Sequence, residues 1–243
     1  MNNMHSMIVL GLDVGGANIK AAVVKSKQAL KKELKTSIQY FPIWIKGKEA
    51  LTSALHETVS KLIEGEKMDA AGVTMTAEPS DVYYTKREGV NHVLDCVQKI
   101  FPHTPTFVLN VDGALISVDE ARKQPYTVAS ANWAATGWLV SQFMKNCIIM
   151  DTGSTTTSII PIVNGRVAVG GKTDLEKLSN GELVYTGALR TNVAAVVQVI
   201  PVKGRLVKVS SEFFASTGDV HIILGHLTEK EHTVDTADGR GKN

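Results

Sequence analysis

The chain has few cysteines and no long apolar segment, and both absences narrow the kind of protein it can be. Its 243 residues include two cysteines, Cys96 and Cys147, which are far apart and lack a Cys-x-x-Cys spacing or a paired histidine. This pattern argues against a disulfide framework and against a zinc site. No apolar run approaches the roughly 20 residues that a membrane-spanning helix needs, so we expect no membrane partner.

The chain also lacks a large excess of positive or negative charge. Lysine and arginine number 26 against 24 acidic residues, and the formal net charge of +2 is spread along the chain. A nucleic-acid partner is therefore not expected, because such proteins carry basic patches. Residues 1–7 lack the charged and apolar regions of a signal peptide, so we expect a cytoplasmic protein. A homo-oligomer stays open, because no residue pattern argues for or against it.

Two segments repeat one pattern, in which an apolar strand ends in Asp and is followed by a turn with glycine and small residues. The first contains Asp13-Val-Gly-Gly16 and the second Asp151-Thr-Gly-Ser-Thr155. Glycines let the backbone approach a phosphate closely, and consecutive N–H groups in such turns form an anion-binding nest. One such turn is typical of an ordinary hairpin. Two in one chain favour a pair of phosphate-binding hairpins.

These hairpins supply the first candidate site residues. Asp13 and Asp151 are predicted catalytic carboxylates and Mg²⁺ ligands, since Mg²⁺ prefers one or two carboxylates plus phosphate oxygens. The alternative for each is an Asx turn that stabilises its own hairpin. Lys20 points either to a phosphate or to solvent, since strand alternation allows both. The predicted phosphate-binding residues are Gly15, Gly16, Lys20, Gly153, Ser154 and Thr155.

Hydrophobic periodicity predicts an α/β protein with an internal duplication. The first copy is expected to have strands at 7–14, 18–25, 34–41, 70–76 and 105–109, with helices at 51–62, 90–101 and 127–144. Leu139 and Phe143 of the last helix are expected to face the interior. The strand pattern restarts at 147–151, 156–163 and 166–169. Beyond it we expect a loop over 170–190, two strands within 193–210, the start of a helix at 211–216 and a strand at 219–224.

Polar residues that follow predicted strands are further candidates, because α/β proteins place active residues at the carboxyl ends of strands. Glu78 and Asp81 follow the strand at 70–76, and Asp112 follows the strand at 105–109. Glu78 and Asp112 are predicted catalytic residues. Either Glu78 or Asp81 is the predicted general base, and helix N-capping is the alternative.

Five residues are predicted to bind substrate: Asn132, Trp133, Lys172, Asp174 and Arg190. The alternative for Trp133 is a place in the hydrophobic core. The last three lie in a polar segment that forms either a substrate lid or a solvated surface. Arg190 is the best anion-binding candidate among them, because its guanidinium fork pairs with phosphate or carboxylate.

Longer segments carry a resemblance to a known family. They are residues 72–78, 131–136, 151–157, 171–174, 181–191 and 235–240. With the duplicated strand order, they resemble the hydantoinase/oxoprolinase branch of the superfamily of actin, sugar kinases and heat-shock ATPases (ASKHA). Within it they resemble the group linked to tetrahydromethanopterin-dependent C1 metabolism.

The resemblance implies a duplicated ribonuclease H-like (actin-like ATPase) α/β fold, with a βββαβα first half and an incomplete second half. The expected domains are 1–145 and 146–243, with an insertion at 170–210 and a truncated C-terminal end.

The resemblance also implies an activity, that of a Mg²⁺-dependent transferase of methanofuran biosynthesis. It would couple (5-aminomethylfuran-3-yl)methyl diphosphate to γ-glutamyltyramine, so its substrates would be a small-molecule diphosphate and a phenol. Mg²⁺ and oriented N–H donors stabilise a leaving diphosphate, and the phenol must lose a proton to a base. Two alternatives stay open: an ATP-dependent small-molecule kinase or hydantoinase-like amidohydrolase, and a catalytically inactive nucleotide- or diphosphate-binding protein.

Overall fold

The computed structural model describes residues 7–27 and 31–232. Its contacts divide the chain into two units, Met1–Val140 and Ser141–Asn243, here called unit 1 and unit 2. The predicted domain limit after residue 145 stays a prediction. No helix within the described ranges is long and apolar enough to cross a bilayer.

Unit 1 is built on a six-stranded sheet with the strand order β3-β2-β1-β4-β5-β6. Its strands are β1 (Met7–Gly15), β2 (Asn18–Lys27), β3 (Lys31–Tyr40), β4 (Ala70–Thr76), β5 (Thr106–Leu109) and β6 (Leu115–Ser117). Strands β1, β4 and β5 are parallel, while β2, β3 and β6 join the sheet antiparallel. The carboxyl ends of the three parallel strands therefore meet at one edge of the sheet, where α/β proteins bind ligands.

Helices α1 (Ile43–Lys46), α2 (Leu51–Ile63), α3 (Lys86–Ile100) and α4 (Val118–Lys123) contribute buried residues to the core on one face of this sheet. A further helix, α5 (Asn132–Ser141), follows them in the chain. Alternate residues of β1, such as Leu10 and Val14, are buried in one core with Leu55 of α2 and Val93 of α3. The apolar period of two in the strand and of 3.6 in the helices places these residues on facing surfaces.

Unit 2 has a smaller sheet in the order β10-β8-β7, with β9 also paired to β8. Its strands are β7 (Cys147–Thr152), β8 (Thr157–Val163), β9 (Arg166–Val167) and β10 (Leu183–Val184). A separate hairpin is formed by β11 (Val199–Val202) and β12 (Arg205–Lys208). Short helices α6 (Asp174–Ser179), α7 (Val193–Val196) and α8 (Thr217–Ile223) complete the described part of this unit.

The strands of both hairpins and the α/β class agree with the sequence prediction, but four local predictions are wrong. The predicted strand at 219–224 lies largely in helix α8, because the Ser216 hydroxyl and the Asp219 carboxylate cap its first turn. No helix begins at 211–216. The predicted helix at 127–144 is limited to α5, and its residues Leu139 and Phe143 are 54% and 80% exposed.

Four short elements in two segments were also missed. The predicted loop at 170–190 contains α6 and β10. Helix α6 begins at this point because Thr173 and Glu176 form a reciprocal capping box. In unit 1, β6 and α4 follow β5, and Ser117 caps α4 through the same kind of box with Glu120. The capping-box residues were present in the sequence, but each segment is too short to show a hydrophobic period.

Candidate functional site

The turn of the first hairpin is fixed by its backbone. A Cβ atom on Gly15 would lie 2.7 Å from the carbonyl oxygen of Asn18, so the close approach of the two strands requires glycine there. The carbonyl oxygen of Gly16 accepts a hydrogen bond from the Ile43 N–H at 3.0 Å. Helix α1 therefore holds the turn in place.

Asp13 lies between two polar neighbours on the same face of the sheet. It is the register partner of Lys20 on β2 and of Thr74 on β4. The Lys20 ammonium lies 3.0 Å from Asp13 Oδ2. Asp13 Oδ1 and Thr74 Oγ1 are both buried, and neither has a hydrogen-bond partner among the described residues. Buried polar atoms are normally satisfied, so two neighbouring orphan oxygens fit a hard cation that takes oxygen ligands.

Glu78 follows β4 at the same edge of the sheet and is completely buried. Its Oε1 accepts a hydrogen bond from the Ser130 hydroxyl at 2.8 Å, while its Oε2 is another buried oxygen without a partner in the described chain. Burial raises the pKa of the Glu78 carboxyl to about 7. Gly89 of α3 allows this packing, since a Cβ there would lie 2.6 Å from the Glu78 backbone.

Ser130 has a left-handed backbone with φ of 52°, which is uncommon for a residue with a side chain. Its neighbour Ala129 forms a parallel bridge with Met75 of β4. The segment that begins α5 is thereby brought to the carboxyl end of β4. Glu78 is thus a group that can exchange a proton near neutral pH, linked outward through the half-buried Ser130 hydroxyl.

The other predicted residues of unit 1 have different surroundings. Asp112 is exposed in the turn after β5, where its N–H donates to Asn110 Oδ1 at 3.0 Å. Asp81 is exposed in the segment between β4 and α3. Asn132 is half-buried at the start of α5, while Trp133 is 5% exposed and belongs with the buried apolar residues. The core reading of Trp133 is therefore favoured.

In unit 2, residues 187–190 pack against the turn of the second hairpin. The N–H of Gly153 donates to the carbonyl of Thr156 at 2.8 Å and closes the turn. The carbonyl of Ser154 accepts from the N–H of Arg190 at 2.8 Å. Gly187 lies so close that a Cβ atom there would stand 2.5 Å from the Thr155 backbone. The sequence-predicted anion-binding residue Arg190 is thus brought to the predicted phosphate-binding residues of this hairpin.

Helix α6 adds charged groups near Asp151. Lys177 is only 3% exposed, and burial lowers the pKa of its ammonium to about 8. The negative charges of Asp174, Glu182 and Asp151 act in the other direction and raise this pKa, but by less. The sequence analysis missed Lys177. Lys172 precedes this helix, where its N–H donates to Glu176 Oε2 at 2.9 Å. The predicted residues Lys172 and Asp174 therefore lie at the start of α6.

Each unit thus assembles its own part of the predicted site. Asp13, Lys20 and Glu78 share one sheet edge in unit 1, and Asp151, Ser154 and Arg190 share one region of unit 2. The metal, phosphate and substrate roles of all these residues stay predictions.

The strand order of unit 1, with an Asp-x-Gly hairpin repeated in unit 2, defines an α/β protein of the duplicated ribonuclease H-like class. A family model described as hydantoinase/oxoprolinase matches residues 69–243. The chain belongs to the hydantoinase/oxoprolinase family.

Two curated relatives carry the same name, (4-{4-[2-(gamma-L-glutamylamino)ethyl]phenoxymethyl}furan-2-yl)methanamine synthase. The one from Methanocaldococcus jannaschii is 40% identical over 238 residues, which is 98% of this chain and 68% of that protein. The one from Methanococcus vannielii is 51% identical over 96 residues, 40% of this chain and 43% of that protein. The chain is therefore similar to enzymes and spans about two thirds of the length of the first relative.

Solved structures show weaker likenesses. A Ppx/GppA family protein of Aquifex aeolicus is 14% identical with a TM-score of 0.41, covering 68% of this chain and 50% of its own. The ethanolamine utilization protein EutJ of Carboxydothermus hydrogenoformans is 15% identical with a TM-score of 0.40, covering 80% and 57%. The family assignment does not depend on them.

Proposed function

We propose that this chain is a Mg²⁺-dependent transferase that couples (5-aminomethylfuran-3-yl)methyl diphosphate to γ-glutamyltyramine and releases diphosphate. The observation that carries the proposal is the 40% identity to a synthase over nearly the whole chain. The relative's name describes an ether between a phenol and a furan methyl group. Forming that ether from the free phenol requires a leaving group on the furan methyl carbon.

The hairpins support diphosphate as that leaving group. Asp13 and Thr74 present the two orphan oxygens that would hold Mg²⁺, and Lys20 adds a cation beside them. When bound there, Mg²⁺ would neutralise charge on the departing diphosphate. In unit 2, the Arg190 N–H donates to the Ser154 carbonyl, which holds Arg190 at the predicted phosphate-binding turn, and its guanidinium would be a phosphate ligand there.

Ether formation with loss of diphosphate needs no reactant besides the two substrates. The bond between the furan methylene carbon and the diphosphate oxygen breaks, and its electron pair leaves with diphosphate. The phenol oxygen forms the new bond to the same carbon and loses its proton. We assign that proton to Glu78, reached through the Ser130 hydroxyl, because a carboxyl with a pKa of about 7 accepts a proton near neutral pH.

Neither the kinase nor the amidohydrolase alternative has a specific observation in the described residues that favours it. The binding-protein alternative is separated from the transferase by turnover alone. A folded chain that binds diphosphate but forms no ether would favour the binding-protein alternative.

The test is an assay of the purified chain with both substrates and Mg²⁺, following diphosphate release and product mass. We expect release to need both substrates and the metal. Asp13→Asn should lower the rate by about 100-fold or more, the loss typical when electrostatic stabilisation of a leaving group is removed. Asp95→Asn, which changes a carboxylate on the surface of α3, is the matched control and should keep the rate. Release that is indifferent to Mg²⁺ and to Asp13→Asn would rule out this assignment.

A further inference from the structure

The two edge strands of the unit 1 sheet differ in length. Strand β6, at one edge, has three residues, whereas β3, at the other edge, has ten. Strand β3 contains no proline, and its pairing with β2 is continuous, without a bulge. Proteins usually shorten or interrupt edge strands, because their unpaired backbone groups can bind another strand. Within the described ranges, β3 therefore leaves one long strand edge open.

Strand β3 also exposes large apolar side chains on one face. Leu34 is 64% exposed and Ile38 is 72% exposed. Lys35 lies on the opposite face, where its ammonium is 2.9 Å from the carboxylate of Glu64 at the end of α2. The charge of Lys35 is thus paired within the protomer, while the two apolar side chains face solvent.

The sequence of β3 is self-complementary about Thr36. In an antiparallel pair of two β3 strands with a two-fold axis at Thr36, each residue lies opposite the residue at the same distance on the other side of the axis. Leu34 then lies opposite Ile38 of the second copy, and the two-fold axis repeats this apolar pair. The exposed apolar side chains of both copies therefore meet across the shared edge.

This register also avoids opposing like charges. On the other face, it places Lys35 opposite Ser37 and Glu33 opposite Gln39. An axis at Lys35 would instead place two ammonium groups opposite each other, which is unfavourable. An axis at Leu34 or at Ser37 would pair only residues 31–37 or 34–40, whereas the axis at Thr36 pairs residues 32–40. Among the registers without opposed like charges, the one about Thr36 pairs the most residues.

The shared edge would lie outside the candidate site of unit 1. Ile38 is the register partner of Lys20 on β2, and Lys20 is the register partner of Asp13 on β1. Strand β3 is therefore two strands away from Asp13, and a second copy would add its strand on the far side of β3. The contact does not depend on the proposed function.

We propose that β3 is an interaction surface for a second copy of this chain, paired antiparallel about a two-fold axis at Thr36. The open backbone groups of both edges form hydrogen bonds, and the two pairs of Leu34 and Ile38 pack across the edge. A second copy fits better than an unrelated strand, because a two-fold contact requires self-complementarity and another partner does not. One pair of strands buries a small area, so the association is weak.

Sedimentation velocity of the purified chain tests the proposal. From about 1 to 100 μM, the range suited to a small interface, we expect a monomer–dimer equilibrium. Leu34→Glu and Ile38→Lys should each weaken association by about tenfold or more, because each places a charge opposite an apolar side chain at two positions. Leu115→Lys changes a residue that is 60% exposed on β6, the other edge strand, and as the matched control it should leave the equilibrium unchanged.

Mixing the two variants tests the register. In an equimolar mixture, the introduced carboxylate of one chain stands opposite the introduced ammonium of the other, and the remaining pair is unchanged. Association should recover to within about threefold of the unmodified chain. Thermal unfolding establishes that each variant is folded. If either is not, Thr36→Lys and Thr36→Glu repeat the test at the axis, where each alone opposes like charges and their mixture opposes unlike charges.

Three results would overturn the proposal. They are an unmodified chain that stays monomeric over this range, association that the variants leave unchanged, and weakened association that mixing does not recover. In the last case the strands do not meet about Thr36. None of these results bears on ether formation, so this inference and the proposed function fail independently.

Discussion

Replacing the buried carboxyl of Glu78 by an amide should change how the stability of unit 1 depends on pH. The ordinary pKa of this group is 4.5, and burial raises it to about 7 in the folded chain. Below pH 4.5 the group is protonated in both states. Between pH 4.5 and 7 the unfolded chain releases the proton while the folded chain keeps it, so stability falls as pH rises through this window.

The magnitude follows from the difference between the two pKa values. At about 1.36 kcal/mol for each pH unit, the difference between 4.5 and about 7 corresponds to about 3 kcal/mol of unfolding free energy. Glu78→Gln cannot ionise, and its amide oxygen can still accept from the Ser130 hydroxyl. As pH rises from 4.5 to 8, the unfolding free energy of the unmodified chain should therefore fall by about 3 kcal/mol relative to that of the variant.

Urea unfolding followed by tryptophan fluorescence suits this test. The three tryptophans, Trp44, Trp133 and Trp138, all lie in unit 1, so their emission reports on the unit that contains Glu78. Asp81→Asn, a change at an exposed carboxyl in the following segment, is the control for titration in general. Parallel stability curves for the unmodified chain and Glu78→Gln across this pH range would refute the reasoning.

Two further substitutions test the packing of unit 1 by urea unfolding. Gly15→Ala should cost about 1–3 kcal/mol, because its Cβ would lie 2.7 Å from a backbone oxygen, whereas Gly11→Ala, with its nearest atom at 3.8 Å, should cost far less. Equal losses would contradict the steric account. Glu66→Gln should cost about 1–2 kcal/mol, because it leaves the 5% exposed Lys25 without the carboxylate that lies 2.5 Å from its ammonium. Adding Lys25→Met should recover most of this loss, and a further loss would argue against an unpaired buried charge.

Strand β1 was predictable because it is an apolar run that ends at a glycine turn. Leu10, Leu12 and Val14 are buried on one side and Asp13 lies on the other, as the strand period of two requires. Helix α8 was mistaken for a strand because its seven residues include Val220, Ile222 and Ile223, which favour strands locally. The capping hydrogen bonds of Ser216 outweigh that preference.

The site was predictable only to the extent that its chemistry is encoded in short motifs. Asp13, Asp151 and the glycine turns could be identified from composition and spacing alone. The raised pKa of Glu78 and the burial of Lys177 depend on residues distant in sequence, such as Gly89 and Ile159, which bring other elements against them. No local pattern contains that information, because burial is a property of the assembled fold.

The central claim is that the chain joins the phenol oxygen to the furan methyl carbon with loss of diphosphate. The most direct test uses γ-glutamyltyramine labelled with heavy oxygen at the phenol, together with the furan diphosphate, Mg²⁺ and the purified chain. The account predicts an ether product that retains the label and appears in step with unlabelled diphosphate. A folded chain that releases diphosphate without forming the labelled ether, or that does neither, would contradict it.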